Sequence, residues 1–155
     1  MAKRGISRFP MAWFLVAAGV CFPGCPFLNP VFFRDAALER AIREELTHPL
    51  GFLTEDVLLQ LETLDARGRG IRDLSGIEFC RNLIWLDLDT NSISDLTPLQ
   101  NLTSLAILNL DSNEVTDISP LAGLLNLDGL SLFDNQVGDI GALVTNARDG
   151  GLGEG

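Results

Sequence analysis

Asp87, Asp89 and Asn91 stand at alternate positions, the spacing of the first three oxygen ligands of an EF-hand calcium loop. Such a loop needs glycine at its sixth place and a bidentate carboxylate at its twelfth, and here those places hold Ser92 and Pro98. His48 is the one histidine and could serve as a general base. It lies in the stretch His48-Pro49-Leu50-Gly51, which reads as a turn, and no serine or cysteine nucleophile recurs near it. Cys21, Cys25 and Cys80 show no zinc-type pairing. No catalytic residue, no metal ligand and no cofactor is therefore expected, and the chain does not read as an enzyme.

Recognition chemistry is better supplied. Trp85, Ile107 and Phe133 are large apolar groups interleaved with Asp87, Asp89, Asn109 and Asp111. An apolar anchor ringed by carboxylates suits the binding of another macromolecule, a protein ligand or a glycan. The net charge of −10, from 11 basic against 21 acidic residues, repels phosphate backbones, so nucleic acid is not expected as a partner.

These side chains are positioned by a repeat. Leu61–Asn82, Leu83–Ser104, Leu105–Asn126 and Leu127–Arg148 align at a fixed period of 22 residues without insertion or deletion. Leu61, Leu83, Leu105 and Leu127 form one column, and Leu64, Leu86, Leu108 and Leu130 the next. Ala66, Leu88, Leu110 and Leu132 follow at the L-x-L spacing that turns alternate side chains to one face of a short strand. Further apolar columns are Ile71, Ile93, Val115, Val137, then Leu74, Leu96, Ile118, Ile140, then Ile77, Leu99, Leu121, Leu143. One coil cannot bury these groups alone, and stacked coils make a continuous core. Cys80 aligns with Leu102 and Leu124 and is expected as a buried, inert thiol.

Polar columns complete each coil. Asn91, Asn113 and Asn135 are expected to pair their amides with backbone groups of adjacent coils, with Arg69 in the first repeat. Asp73, Asp95, Asp117 and Asp139 are expected to accept the backbone N–H two residues on. Thr97-Pro98 and Ser119-Pro120 read as an N-cap followed by proline at the first helical position. The residues between the inward leucines point outward: Thr63, Trp85, Ile107, Gly129, then Asp65, Asp87, Asn109, Ser131, then Arg67, Asp89, Asp111, Phe133.

The consensus L-x-x-L-x-L-x-x-N-x-I-x-D-[LI]-x-x-L resembles the 22-residue leucine-rich repeat of bacterial internalin-like proteins over residues 61–148. Upstream, residues 31–60 look like the helical N-terminal cap of such proteins, with Leu38, Ala41, Ile42 and Leu46 at helical spacing, Asp35 as N-cap and a second helix starting at Thr54. The resemblance implies an α/β leucine-rich-repeat solenoid: curved, with a parallel β-sheet on its concave face, short helical or 3₁₀ segments on the convex side and a small α-helical N-terminal cap. It also implies extracytoplasmic binding of proteins or glycans, without naming a ligand. A cytosolic regulatory repeat subunit and a non-catalytic module of a larger enzyme are the alternative readings.

The N-terminus argues for export. Lys3, Arg4 and Arg8 precede the apolar run Met11–Val20, which at ten residues is too short to span a bilayer. FPGC, ending at Cys25, resembles a lipoprotein box, although Phe22 and Pro23 depart from its usual pattern. Lipid attachment at Cys25 would anchor the protein to a bacterial envelope. AGVC ending at Cys21 and ordinary cleavage after Gly19 also fit. Removal of residues 1–24 takes Lys3, Arg4 and Arg8 away and moves the charge from −10 to −13. Residues 149–155 are glycine-rich, and the chain is expected to be a fragment of a longer repeat protein, because no closing segment follows the fourth coil before Gly155.

Overall fold

The computed structural model describes residues 29–48 and 50–148. The export segment 1–24, Cys25 with its lipid assignment, Pro49 and the glycine-rich residues 149–155 lie outside the described residues.

The N-terminal elements form as helix signals dictate. Helix α1 (Ala36–Glu45) begins where Asp35, in extended conformation, accepts the N–H groups of Ala37 and Leu38. Its Leu38, Ala41 and Ile42 recur at helical spacing and are buried against the repeats. One turn, α2 (Glu55–Leu58), follows Thr54, with Glu55 and Asp56 at its positive end. An antiparallel bridge between Pro30 and Thr54, with Val31 N–H donating to Leu53 O at 2.7 Å, ties the entering chain to this turn.

Each coil then contributes a three-residue strand: β1 (Thr63–Asp65), β2 (Trp85–Asp87), β3 (Ile107–Asn109) and β4 (Gly129–Ser131). They pair in parallel in the order β1-β2-β3-β4, with Leu64 against Leu86, Leu86 against Leu108 and Leu108 against Leu130. The register advances 22 residues per step, so every column of the repeat stacks on itself. The return segments are 3₁₀ turns at Ile77–Phe79, Thr97–Leu99 and Ser119–Leu121, then helix α3 (Gly141–Arg148). Together they make a leucine-rich-repeat solenoid. No helix of the described residues is long and apolar enough to cross a membrane.

The asparagine column works as a relay between coils. Asn113 Oδ1 accepts Ile93 N–H from the preceding coil, and its Nδ2 donates to Leu88 O, Leu110 O and Asp111 O. Asn91 and Asn135 repeat the pattern one coil earlier and one later. The residue before each asparagine sits in the left-handed region, with φ +58 at Thr90, +52 at Ser112 and +54 at Asp134, in register with Gly68 at +63. That conformation aims the amide back into the stack. A second link runs on the far side of the coil, where Asn82 donates to Leu59 O and Asn126 to Thr103 O.

The return turns correct one expectation. Thr97 and Ser119 are not N-caps: they are the first residues of their turns, and neither makes a side-chain capping bond. The capping acceptors are the aspartates. Asp73, Asp95, Asp117 and Asp139 each take the N–H two residues on, at 2.8 Å in all four coils. A carboxylate outcompetes a hydroxyl for this role because the bond is charge-assisted.

A second correction concerns the fourth coil. Ile140, aligned with buried Leu74, Leu96 and Ile118, is 61% exposed, while Leu130, Leu132, Val137 and Leu143 are only partly buried. No further coil among the described residues lies against its outer side, and the return path is an α-helix instead of a 3₁₀ turn, which changes the phase of its side chains. Asn146 takes the column position of Cys80, Leu102 and Leu124 and is fully buried. Its Nδ2 donates to Leu124 O at 2.8 Å and lies near Leu121 O and Ala122 O, but Oδ1 has no partner. Leu121 O and Leu124 O already accept from Leu124 N–H and Leu127 N–H, so the amide adds little while burying an orphan acceptor. Asn146→Leu should therefore stabilise the chain, by about 1 kcal/mol, because an unsatisfied buried group costs roughly 1–3 kcal/mol. Denaturant unfolding checks this, and a loss of stability would mean that Oδ1 has a donor in the working protein.

Candidate recognition face

The outward positions of the four strands are brought into rows by the parallel register. Thr63, Trp85, Ile107 and Gly129 are neighbours in one row, and Asp65, Asp87, Asn109 and Ser131 in the next. Ladder bonds continue past the strand ends, from Gly68 N–H to Asp89 O, Thr90 N–H to Asp111 O and Ser112 N–H to Phe133 O. Arg67, Asp89, Asp111 and Phe133 are therefore stacked coil on coil as well.

Exposure varies along these rows. Phe133 is 78% and Ile107 47% exposed, and Trp85 is half-buried. Asp89, Asn109 and Asp111 are half-buried. Asp87 departs from the expectation of an outward, solvated carboxylate: it is only 6% exposed. Its Oδ1 accepts the N–H of Asp89 at 3.0 Å, and its Oδ2 lies 3.7 Å from Arg67 Nε. Asp65 and Asn109 make the same bond, to Arg67 N–H and Asp111 N–H. Residues of this row thus turn the chain out of the strand, and the signal for it in the sequence is the D-x-R, D-x-D and N-x-D pattern directly after the inward leucine.

In the fourth coil the row ends in Ser131, whose hydroxyl donates instead of accepting. Asp111 of the neighbouring coil takes over: its Oδ1 accepts both Ser131 Oγ and Phe133 N–H at 2.6 Å. Asp111 therefore positions the backbone that carries Phe133.

The charge is unevenly compensated. Arg67 grips Asp65 side-on, Nε to Oδ1 at 3.0 Å and a terminal nitrogen to Oδ2 at 2.7 Å. That bond holds the Asp65 carboxyl below its ordinary value. Asp89 and Asp111, further along the stack, have no ion-pair partner among the described residues.

The side chains capable of other chemistry lie elsewhere. Cys80 is fully buried, and burial pushes its thiol up to about 12, so it holds its proton and is a poor nucleophile. His48 closes the end of α1, where its N–H donates to Arg43 O and its carbonyl accepts from the Arg43 guanidinium. Among the described residues no group of three or more His, Cys, Asp or Glu side chains is arranged to hold a metal ion. Among the described residues, hollows of about 480 and 250 Å³ lie beside α1, the first lined by Arg40, Arg43, Glu44 and Thr47. Neither is lined by Trp85, Ile107 or Phe133.

Residues 81–123, which hold β2, β3, Asn91 and Asn113, match the family model for leucine-rich repeats in two copies. The crystal structure of an internalin, InlF from Listeria monocytogenes, superposes with a TM-score of 0.70 at 34% identity over 73% of this chain. The chain is an internalin-like leucine-rich-repeat protein. It spans about a third, 34%, of the InlF chain. The functional domain of InlJ from the same organism is also similar, with a TM-score of 0.63 and 26% identity over 71% of this chain and 25% of that one. A structure of CBM51-2 and INT domains from Clostridium perfringens ZmpB aligns over 56% of this internalin-like chain and 18% of its own, at 31% identity and a TM-score of 0.50. No curated protein matches it.

Proposed function

We propose that this internalin-like chain is a binding module that recognises another protein through its concave face, outside the cytoplasm. In this reading residues 1–24 are an export signal, and Cys25 carries lipid if the lipoprotein box is used. The carrying observation is that Trp85 and Ile107 in one row and Phe133 in another stay accessible on a sheet whose strand-end turns are locked by Asp87, Asn109 and Asp111. A surface fixed before binding loses little conformational entropy when it engages, which favours recognition. The likeness to internalins supports a protein partner, and the charged start and short apolar run at Lys3–Val20 support export.

Trp85→Ala is expected to weaken partner binding by about 2 kcal/mol, near 30-fold, the range of an aromatic anchor. The fold should survive, because the inward columns are untouched. Capture of cell-surface proteins by wild type, Trp85→Ala and Phe133→Ala, with a glycan array in parallel, reads this out. Undiminished capture by both variants would move the site off the concave face, and array signal abolished by Trp85→Ala would replace the protein partner by a glycan. Intact mass of the protein from an envelope fraction tests export: an unprocessed N-terminus in the cytosol would refute it.

A further inference from the structure

We infer that the concave face is built for a cationic peptide segment that lays an apolar side chain into the gap above Gly129, beside Ile107, with a neighbouring Lys or Arg on the carboxylates of Asp89 and Asp111. The inference rests on the concave-face reading and adds to it the chemistry of the partner.

The gap comes from the row Thr63, Trp85, Ile107, Gly129, in which three side chains are followed by none. Gly129 is not needed for backbone reasons. Its φ is not in the left-handed region, and a Cβ built on it would meet Ile107 Cγ1 and Cγ2 at 3.7 and 3.8 Å, ordinary contact distances. A Cβ therefore has room at this position, and a larger side chain would extend into the space above it. The absence of a side chain leaves one flank of Ile107 uncovered, consistent with its 47% exposure. Along the fourth coil Ser131 lies on the same side of β4 as Gly129, and Phe133, the most exposed aromatic of the face, follows just past the strand end. An apolar side chain placed there would shed water from itself, from Ile107 and from the strand backbone together.

Charge selects what accompanies it. The carboxylates of Asp65, Asp87, Asp89 and Asp111 share this face with one guanidinium, Arg67, and that group is held by Asp65. Asp89 is fixed by Thr90 Oγ on its Oδ1, and Asp111 by Ser131 Oγ and Phe133 N–H on its Oδ1. In each case Oδ2 has no hydrogen-bond partner among the described residues. The anchored oxygen orients the group and the other is presented to solvent. Two oriented carboxylates on the same face as an apolar gap attract Lys or Arg and repel an acidic segment. Arginine suits the site better than lysine, because its fork can address both oxygens.

The test is a phage-displayed random peptide library selected on the full chain and counter-selected on Gly129→Leu. Enriched sequences should carry an aliphatic or aromatic residue within a few positions of Arg or Lys, with acidic residues depleted. Synthetic peptides from that pool, followed by fluorescence anisotropy, should bind Gly129→Leu at least 30-fold more weakly than wild type. Asp89→Asn with Asp111→Asn keeps every anchoring acceptor and should lower affinity about tenfold at low salt, the difference closing as salt rises. If Gly129→Leu does not fold, Gly129→Ala, whose Cβ has room, should still weaken binding several-fold. No enrichment of basic peptides, or enriched peptides indifferent to residue 129 and to the paired asparagine change, overturns the inference. Trp85→Ala separates the two levels: peptides that lose binding with Trp85→Ala alone leave the concave-face reading standing without this partner chemistry.

Discussion

Asn113→Ala should lower the stability of the chain by about 3 kcal/mol, the largest loss expected from any one polar side chain here. Asn113 is 7% exposed and receives the otherwise unpartnered N–H of Ile93 at 3.0 Å. Alanine leaves that donor buried and empty, at roughly 1–3 kcal/mol, and each lost second bond to Leu88 O and Leu110 O adds about 0.5–1 kcal/mol. Those carbonyls keep Asn91 and Asn135 as donors, which limits the damage. A domain of ordinary stability has only about 5–15 kcal/mol in total, so the melting temperature should fall by roughly 10 °C. Asn109→Ala is the internal control. Asn109 is half-buried and accepts a single N–H, so its loss should cost about 1 kcal/mol. Urea unfolding of the three proteins ranks them, and equal losses for Asn113→Ala and Asn109→Ala would mean that the relay between coils carries no special load.

Asp35→Ala should cost nearly as much, about 2–3 kcal/mol, and should do so in a pH-dependent way. One carboxylate serves two elements. Oδ1 caps α1 through Ala37 N–H at 2.8 Å and Leu38 N–H at 3.3 Å, while Oδ2 accepts Arg72 N–H at 2.8 Å and Asp73 N–H at 3.3 Å from the first coil. Partial burial pushes this carboxyl up, but the four backbone bonds outweigh it and hold the group below its ordinary value of 3.8. A carboxyl depressed in the folded state contributes its full stability above the unfolded value and loses it as pH falls through the folded one. Asp73 and Asp117 are lowered too, by their bonds to Ser75 and Ser119, so the wild type should weaken as pH drops below about 4. The gap between wild type and Asp35→Ala should be wide at pH 7 and close toward pH 2. Asp35→Asn keeps an oxygen for the helix but turns an amide N–H toward the coil's two donors, so α1 should stay capped while its docking loosens. Hydrogen exchange at Ala41 and Ile42 reports that loosening, and a stability gap independent of pH would show that the carboxylate charge is not what joins helix to coil.

Much of this architecture is periodic, and periodic features are legible from the chain alone. The 22-residue spacing, the inward leucines, the asparagine relay, the aspartates that take an N–H two residues on and the burial of Cys80 all depend on a residue's place within one coil. Every coil repeats that place, so four weak local signals become one strong one. Asp35 as the N-cap of α1 was visible for the same reason, since capping is settled within four residues. Its second bond, to the backbone of Arg72 and Asp73, was not, because nothing local marks a contact 37 residues away.

The features that only the tertiary structure decided involve neighbouring coils of unlike composition. Strand alternation states which way Asp87 points, but not that it is 6% exposed. That exposure depends on the side chains around it and on the Asp89 N–H it receives. The left-handed backbone at Thr90, Ser112 and Asp134 is hidden in sequence, since three different residue types, none of them glycine, occupy one conformation. The fourth coil is the clearest case. Its inward leucines and Ile140 keep the repeat spacing, yet Ile140 is exposed and α3 replaces the 3₁₀ turn, because a column is buried by the coils on both of its sides. Direction is a property of the backbone repeat and is written in each coil, whereas burial belongs to the stack, and the face that Trp85, Ile107 and Phe133 present exists only once the coils are side by side.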